Sequence, residues 1–411
     1  MRSLLKNVTL WSLTLGHFSV DLLSGAMPIV VGLYLRDSLG LTLSEVGLLL
    51  GTFVMASSLT QPLFGYLSDL YGGRWFAVGG LLWLAVLTAS LGFMPNFGLA
   101  LVVALFAGLG VAAFHPQGAS GANIASGEHK TAGIAMFMLG GNGGFAVGPL
   151  LASVILDNTG IRGTALLGLA GLLIAPFLYF LTGRAQAVAS TEKKKANWKI
   201  ELNPLFTMTA VTMLILVMSF RAMSQSAMSS FTPQFFVDIA QFSKTEASLI
   251  SSLMLAVLAV GTLVGGALSD RIGGIKVMAG SMILSTPLLL LMYWLGDWRA
   301  YWLAPFVGFV TGAAWPPMLV LAQALFNKNM GVGSGVALGF VFAMGGIGLQ
   351  ITGWLAEPDR LGLTNAMLLL SVVPLVTAWF ALFLPTIKKG EIQAPAPKPI
   401  GVVEQTDLPQ V

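Results

Sequence analysis

The sequence predicts an all-α membrane protein of twelve transmembrane helices in two six-helix repeats. Three observations carry that prediction. The 411 residues are 56% hydrophobic and only 9% charged, with a mean hydropathy of +0.84, whereas soluble domains carry roughly 25% charged residues. The apolar residues fall into runs long enough to cross a hydrocarbon core as helices, without the alternation that barrel strands need. The second half of the chain repeats motifs of the first at one fixed offset.

The runs follow in order. The first, 9–34, is too long for a signal-peptide core and contains Asp21, so it is expected to stay as a membrane segment. Beyond Arg36 comes 45–67, and beyond Arg74 the pair 75–94 and 98–122. Lys130 precedes 131–156, and Arg162 opens 162–182. After a long charged connection come 206–236, then 245–268 behind Lys244, 276–295 behind Arg271, and 300–325 behind Arg299. The series closes with 332–355 after Lys328 and 363–385 after Arg360. With a cytoplasmic N-terminus, the outer loops hold only Arg36, Arg162, Lys244, Arg299 and Arg360, while fifteen of the 21 basic residues lie inside. That bias places both termini in the cytoplasm. The net charge of +4 is thereby explained by topology, and no nucleic-acid partner is implied.

The connection RAQAVASTEKKKANWKIELNP splits the runs six and six. The expected units are an N-terminal six-helix bundle over 1–183, a cytoplasmic linker over 184–205, a C-terminal six-helix bundle over 206–386 and a disordered cytoplasmic tail over 387–411, which holds QAPAPKP. GYLSDLYGG at 65–73 recurs as GALSDRIGG at 266–274, and AFHPQ at 113–117 as AWPPM at 314–318, both displaced by 201 residues. Duplicated halves with a site between them are a transporter architecture. There is no cysteine, which excludes disulfides, thiolate metal sites and thiol catalysis. No P-loop, metal-ligand motif or nucleophile–base set is present, so neither an enzyme, a cofactor nor a metal is expected.

At these residues the chain resembles the major facilitator superfamily. GYLSDLYGGR looks like the family signature after the second segment, carried by Gly65, Asp69, Gly72 and Arg74, although Leu70 and Gly73 stand where basic residues are usual; Asp270 and Arg271 belong to the second copy. The resemblance implies that Asp69 docks at a neighbouring helix terminus, where dipole and free N–H groups favour a carboxylate. GHFSVD, AAFHPQGASGANIASG, MLGGNGGFAVGPLLA and the block ending AMGGIG are similar to the fosmidomycin-resistance group of drug exporters. Gln117 stands where that group often has a glutamate. Gly140, Gly144 and Gly148, followed by Pro149, resemble the antiporter motif of the fifth segment; the same spacing also serves ordinary close helix packing.

Charge inside a bilayer costs about 2.5–3.5 kcal/mol on insertion scales, so it marks a protein interior or a water-filled cavity. His17 and Asp21 lie four apart on one helical face that continues through Ser24, Gly25 and Pro28. His115 sits in the fourth run beside Pro116, and Arg221 in the seventh with Gln225 and Ser229 one and two turns on. In the superfamily, segments 1, 4, 7 and 10 line the central cavity, which these positions occupy. Asp21, His17 and Arg221 are the expected proton-coupling groups: Asp21 either carries a proton between two environments or forms a fixed ion pair with Arg221 that aligns the halves. His17 either relays a proton or bonds backbone, and His115 either meets substrate or satisfies carbonyls at a proline kink. Arg221 suits a carboxylate or phosphonate. Arg221, His115, Gln225, Phe18, Phe114 and Trp315 are the expected substrate contacts.

The expected activity is a proton-coupled exporter of small amphipathic or anionic compounds in the inner membrane, acting as a monomer with small-molecule substrate, protons and the lipid bilayer as its partners. An importer of a sugar or organic acid on the same scaffold, and a non-transporting membrane sensor, are the alternatives.

Overall fold

The computed structural model describes residues 6–182, 201–204, 206–328 and 330–385, excluding the side chains of Asp69, 201–202 and 326–338. Most of the linker expected over 184–205 and the whole tail expected over 387–411 lie outside the described residues, and so does the Asp69 carboxylate.

Among the described residues twelve long helices follow one another. They are α1 (Val8–Leu39), α2 (Leu43–Leu59, continued by Gln61–Tyr71), α3 (Gly73–Leu91), α4 (Phe97–Ala125), α5 (Lys130–Thr159) and α6 (Thr164–Thr182). The second set is α7 (Met208–Asp238), α8 (Lys244–Ile272), α9 (Gly274–Leu295), α10 (Ala300–Ala313, continued by Trp315–Ala324), α11 (Met330–Leu355) and α12 (Gly362–Ala381). Strands Glu201–Leu202 and Phe326–Lys328 pair antiparallel, the latter between α10 and α11 in the chain.

Local chemistry explains the ends. Asn7 caps α1 by accepting from the Leu10 N–H at 3.0 Å, and its amide donates to the Ala125 carbonyl at the end of α4 at 2.7 Å. Pro28 deprives the helix of one donor, and the next turns, Val30–Leu35, wind as a π-helix. The helix therefore runs on to Leu39, beyond the 9–34 expected from the apolar run. Thr42 and Glu45 form a capping box at the start of α2, and Ser243 and Glu246 form the same box at the start of α8. Gly72 (φ +97°) and Gly273 (φ +98°) make the turns into α3 and α9, conformations that only glycine adopts without strain. These paired features share the 201-residue offset of the sequence repeat.

The packing is duplicated as well. In the first six helices α1 lies on α5 and α6, α2 on α4, and α3 on α6; in the second six α7 lies on α11 and α12, α8 on α10, and α9 on α12. The halves meet through α2 against α11 and α5 against α8, a pair of contacts that the repeat exchanges. Small residues permit these approaches: a Cβ at Gly47 or Gly51 would strike the α11 backbone, and one at Gly144 or Gly148 the α1 backbone. Large apolar side chains such as Leu139, Leu173, Phe180, Leu263 and Phe306 are left exposed around the outside, as a lipid-facing surface requires. Exposed Trp11, Trp75, Trp294, Trp298 and Trp302 stand near the helix ends, where interfacial aromatics belong.

Candidate functional site

The site begins on α1. One turn separates His17 from Asp21, and the His17 Nε2 lies 3.2 Å from Asp21 Oδ2. From α4, His115 Nε2 lies 3.2 Å from the other oxygen, Oδ1. Each ring is held from behind: His17 Nδ1 is 2.8 Å from the Phe137 carbonyl on α5, and His115 Nδ1 is 3.0 Å from the Val111 carbonyl. Phe137 stacks on His17 at 4.1 Å between centroids, Phe114 flanks it at 6.2 Å, and the two imidazoles meet edge to face at 5.2 Å. His17 is 4% exposed, Asp21 18% and His115 27%; the carboxylate and the outer ring are partly exposed and His17 is buried.

This geometry constrains the protons. A carbonyl only accepts, so each Nδ1 carries a hydrogen and donates it. In a neutral ring, Nε2 then offers a lone pair, and both lone pairs face carboxylate oxygens. The contacts are hydrogen bonds only when cations occupy the gap, and two protons, one on each Nε2, satisfy both. With a single proton, one nitrogen–oxygen contact stays unbonded. Three groups from two helices thus stand where a proton on either Nε2 would bond the carboxylate.

Room for the cluster comes from α5. A Cβ at Gly141 would sit 2.6 Å from Asp21 Oδ2 and within contact of His17 Cε1 and Nε2. Gly140, Gly144 and Gly148 press α5 onto the α1 carbonyls of Thr14, Phe18 and Leu22. The spacing singled out in the sequence therefore packs the helix that carries Asp21, with buried Pro149 after it. Phe18 packs beside Gly143 on the same interface.

The second half is chemically different. Arg221 on α7 donates from Nη2 to the Thr311 carbonyl on α10 at 3.1 Å, with its guanidinium 5.0 Å from the centre of the Trp315 ring. It lines a pocket with Ser224, Gln225, Met228, Ser285 and Thr377, all within the second six helices. Gln225 donates to Ser229 Oγ at 3.2 Å. Arg221 and Asp21 form no ion pair among the described residues. The anticipated pairing gives way here to two histidines on Asp21 and a carbonyl on Arg221, because each half satisfies its own buried charge.

The signature residues have separate places. Arg74 bonds the Tyr179 carbonyl and stacks on that ring at 3.7 Å, tying α3 to α6. Gly65 has open space where a Cβ would go, and Asp270 and Arg271 are exposed. Gln117, buried two residues past His115, bonds Ser68, the neighbour of Asp69.

Sequence reasoning missed a set of contacts at the end that the basic-residue bias places outside. Arg36 pairs with Asp238, and Lys244 Nζ lies 2.5 Å from Asp37 Oδ2 and 4.2 Å from the Tyr34 ring centre. Thr245 donates to Asp157 at 2.5 Å, and the Ser44 N–H to Glu357 at 2.6 Å. Both ion pairs that join the halves among the described residues lie at this end. Asp37 and Asp238 are 201 residues apart, so extending the repeat comparison to loop charges exposes them. Gly141 had no such signal, being one small residue in a run of them.

The family model described as Major Facilitator Superfamily matches residues 13–348 and 214–405. The fosmidomycin resistance protein of Escherichia coli (strain K12) is 31% identical over 352 residues, 85% of this chain and 86% of that one. The uncharacterized MFS-type transporter YfnC of Bacillus subtilis (strain 168) is 30% identical over 378 residues, 91% of both. Among solved structures, a bacterial homolog of the human lysosomal transporter Spinster superposes with a TM-score of 0.75 at 17% identity, covering 91% of this chain and 95% of the other.

Proposed function

The chain belongs to the major facilitator superfamily, and from that premise we propose that it is a proton-driven exporter of small anionic or amphipathic compounds, working by alternating access in the inner membrane with both termini cytoplasmic. That it is a transporter of small molecules and no enzyme follows from the family and its relatives; direction and coupling are the proposal. The observation that carries it is the Asp21 carboxylate held between two imidazoles at 3.2 Å.

The exchange works through competition for Asp21. The cycle starts with the outer ends clamped by their ion pairs, the site taken as open to the cytoplasm, and two protonated rings holding the carboxylate. A substrate places its anionic group on Arg221, displacing the Thr311 carbonyl as partner. A hydroxyl or ammonium of the same molecule donates to Asp21. The rings then lose their acceptor and release protons to the cytoplasm. After the halves rock, protons arriving from outside return to the rings, which retake Asp21 and expel the donor end of the substrate. Arg221 stays charged throughout and supplies planar, two-point recognition of the anion. Phe18, Phe114 and Trp315 offer apolar surface to the remainder.

The similarity to a fosmidomycin resistance protein supports efflux and names a first probe. Inverted vesicles with an imposed pH gradient, inside acidic, are expected to accumulate fosmidomycin and to stop when the gradient is collapsed. Accumulation that ignores the gradient sinks the coupling; movement only in the opposite sense sinks export and favours the importer.

A further inference from the structure

We propose that His17, Asp21 and His115 also form a binding site for a divalent transition-metal ion of the zinc class. The ligand atoms are two imidazole nitrogens and one carboxylate oxygen, all within 4.8 Å of one another. Ligand atoms on one tetrahedral Zn²⁺ at about 2.0–2.1 Å stand about 3.3 Å apart; here each Nε2 lies 3.2 Å from a carboxylate oxygen, His17 on Oδ2 and His115 on Oδ1. A turn of the Asp21 carboxylate that presents one oxygen to both rings completes a three-ligand set whose atoms already lie within 4.8 Å of one another.

The surroundings are those of a metal site. Both rings give their Nδ1 hydrogens to backbone carbonyls, Phe137 for one and Val111 for the other. That bond fixes the tautomer and leaves the Nε2 lone pair facing inward, which is the outer-shell arrangement that orients metal-ligating histidines. Phe137 stacks on the inner ring and Phe114 flanks it, so the packed neighbours favour the orientation His17 has here. Asp21 and His115 are partly exposed, and a four-coordinate ion held by these three groups would have one position left for water or a substrate atom. Two nitrogens and one carboxylate suit zinc, cobalt and ferrous ions; calcium and magnesium prefer all-oxygen sets. The ligands come from α1 and α4, so no short motif announces the site, which is why the sequence alone carries no expectation of a metal.

The inference uses the same cluster as the proposed coupling but does not depend on it: proton-driven transport without added metal tests the coupling, and metal stoichiometry tests the site. The full chain, freed of any histidine tag and held in lipid nanodiscs, is titrated with Zn²⁺ by calorimetry and with Co²⁺ by visible absorption. Background is small because the chain has no cysteine and three histidines, of which only His129 is outside the cluster. One ion per chain is expected, with the intense Co²⁺ bands of a four-coordinate site. His115→Gln and Asp21→Asn should each weaken binding by more than the roughly 10–100-fold that loss of an outer-shell partner costs, while His129→Gln and Arg221→Gln leave it unchanged. His115, the more exposed ring, serves if His17→Gln does not fold. Absence of saturable binding overturns the proposal, as does binding that survives His115→Gln and Asp21→Asn or vanishes with His129→Gln alone.

Discussion

The two halves share a backbone plan and differ where they are charged. Each opens its second helix with a capping box, turns on a positive-φ glycine, and packs first helix on fifth and sixth. At mid-membrane the first half sets Asp21 between His17 and His115, whereas the second sets Arg221 against Thr311 and Trp315. The repeat displaces Phe114 onto Trp315 and His115 onto Pro316, so the titratable ring of one half has no counterpart in the other. Duplication has kept what positions the helices and released what sits inside them. Imidazole exchanges protons near neutral pH, while guanidinium does not; under the proposed function, proton handling falls to the first half and anion recognition to the second.

The sharpest way to break that division is Asp21→Asn. The amide can neither take a proton nor fix two imidazolium rings, so gradient-driven transport should vanish in vesicles while gradient-independent substrate exchange persists. Retained drive would move coupling out of the first half. The mirror experiment is Arg221→Gln. A charge-assisted hydrogen bond is worth about 1.5–3 kcal/mol, so affinity for an anionic substrate should fall roughly 10- to 100-fold, with the dependence of the residual transport on the gradient unchanged. Loss of proton dependence in this variant would mean that the halves share one device.

A smaller effect is expected from Gly141→Ala. The new Cβ would meet His17 and Asp21 Oδ2, and overpacking of this kind costs about 1–3 kcal/mol. The predicted result is a protein that still folds and binds substrate but transports several-fold more slowly under a gradient. Gly143→Ala, whose Cβ finds only ordinary contact with Phe18 at 3.7 Å, is the control and should behave as wild type. Equal damage from both would locate the defect in helix packing and not in the cluster.

The twelve helices were legible because a hydrocarbon environment demands long apolar runs, and the repeat was legible because the turn motifs GYLSDLYGG and GALSDRIGG recur with their glycines in place. His17 and Asp21 were readable as partners, being one turn apart on α1. The third member, His115, was singled out but not joined to them, since α4 approaches α1 only in three dimensions. Asp21 with Arg221 was expected from opposite charge alone; the short-range alternatives, two histidines and a carbonyl, depend on side-chain reach that spacing does not encode. The extra length of α1 escaped for a local reason: the apolar run ends near Tyr34, but the helix continues through polar Arg36, Asp37 and Ser38 to Gly40 at φ +65°.

The smallest effect belongs to the crossed ion pairs, where the halves act alike. Asp37 receives Lys244 and Asp238 receives Arg36, so each half offers a carboxylate at the end of its first helix to a cation of the other. All four side chains are at least a quarter exposed, and such pairs contribute about 0.2–1 kcal/mol each. Removing one should shift the balance between clamped and open outer ends by no more than about fivefold. Ser44→Cys with Glu357→Cys reports that balance through its disulfide yield, in a chain that has no cysteine of its own. Asp37→Asn and Asp238→Asn should each slow cross-linking to a similar degree, and raised salt should mimic both by screening. An effect confined to Asp238→Asn would show that the clamp is not shared equally, and that the duplication has diverged at the gate as it has at mid-membrane.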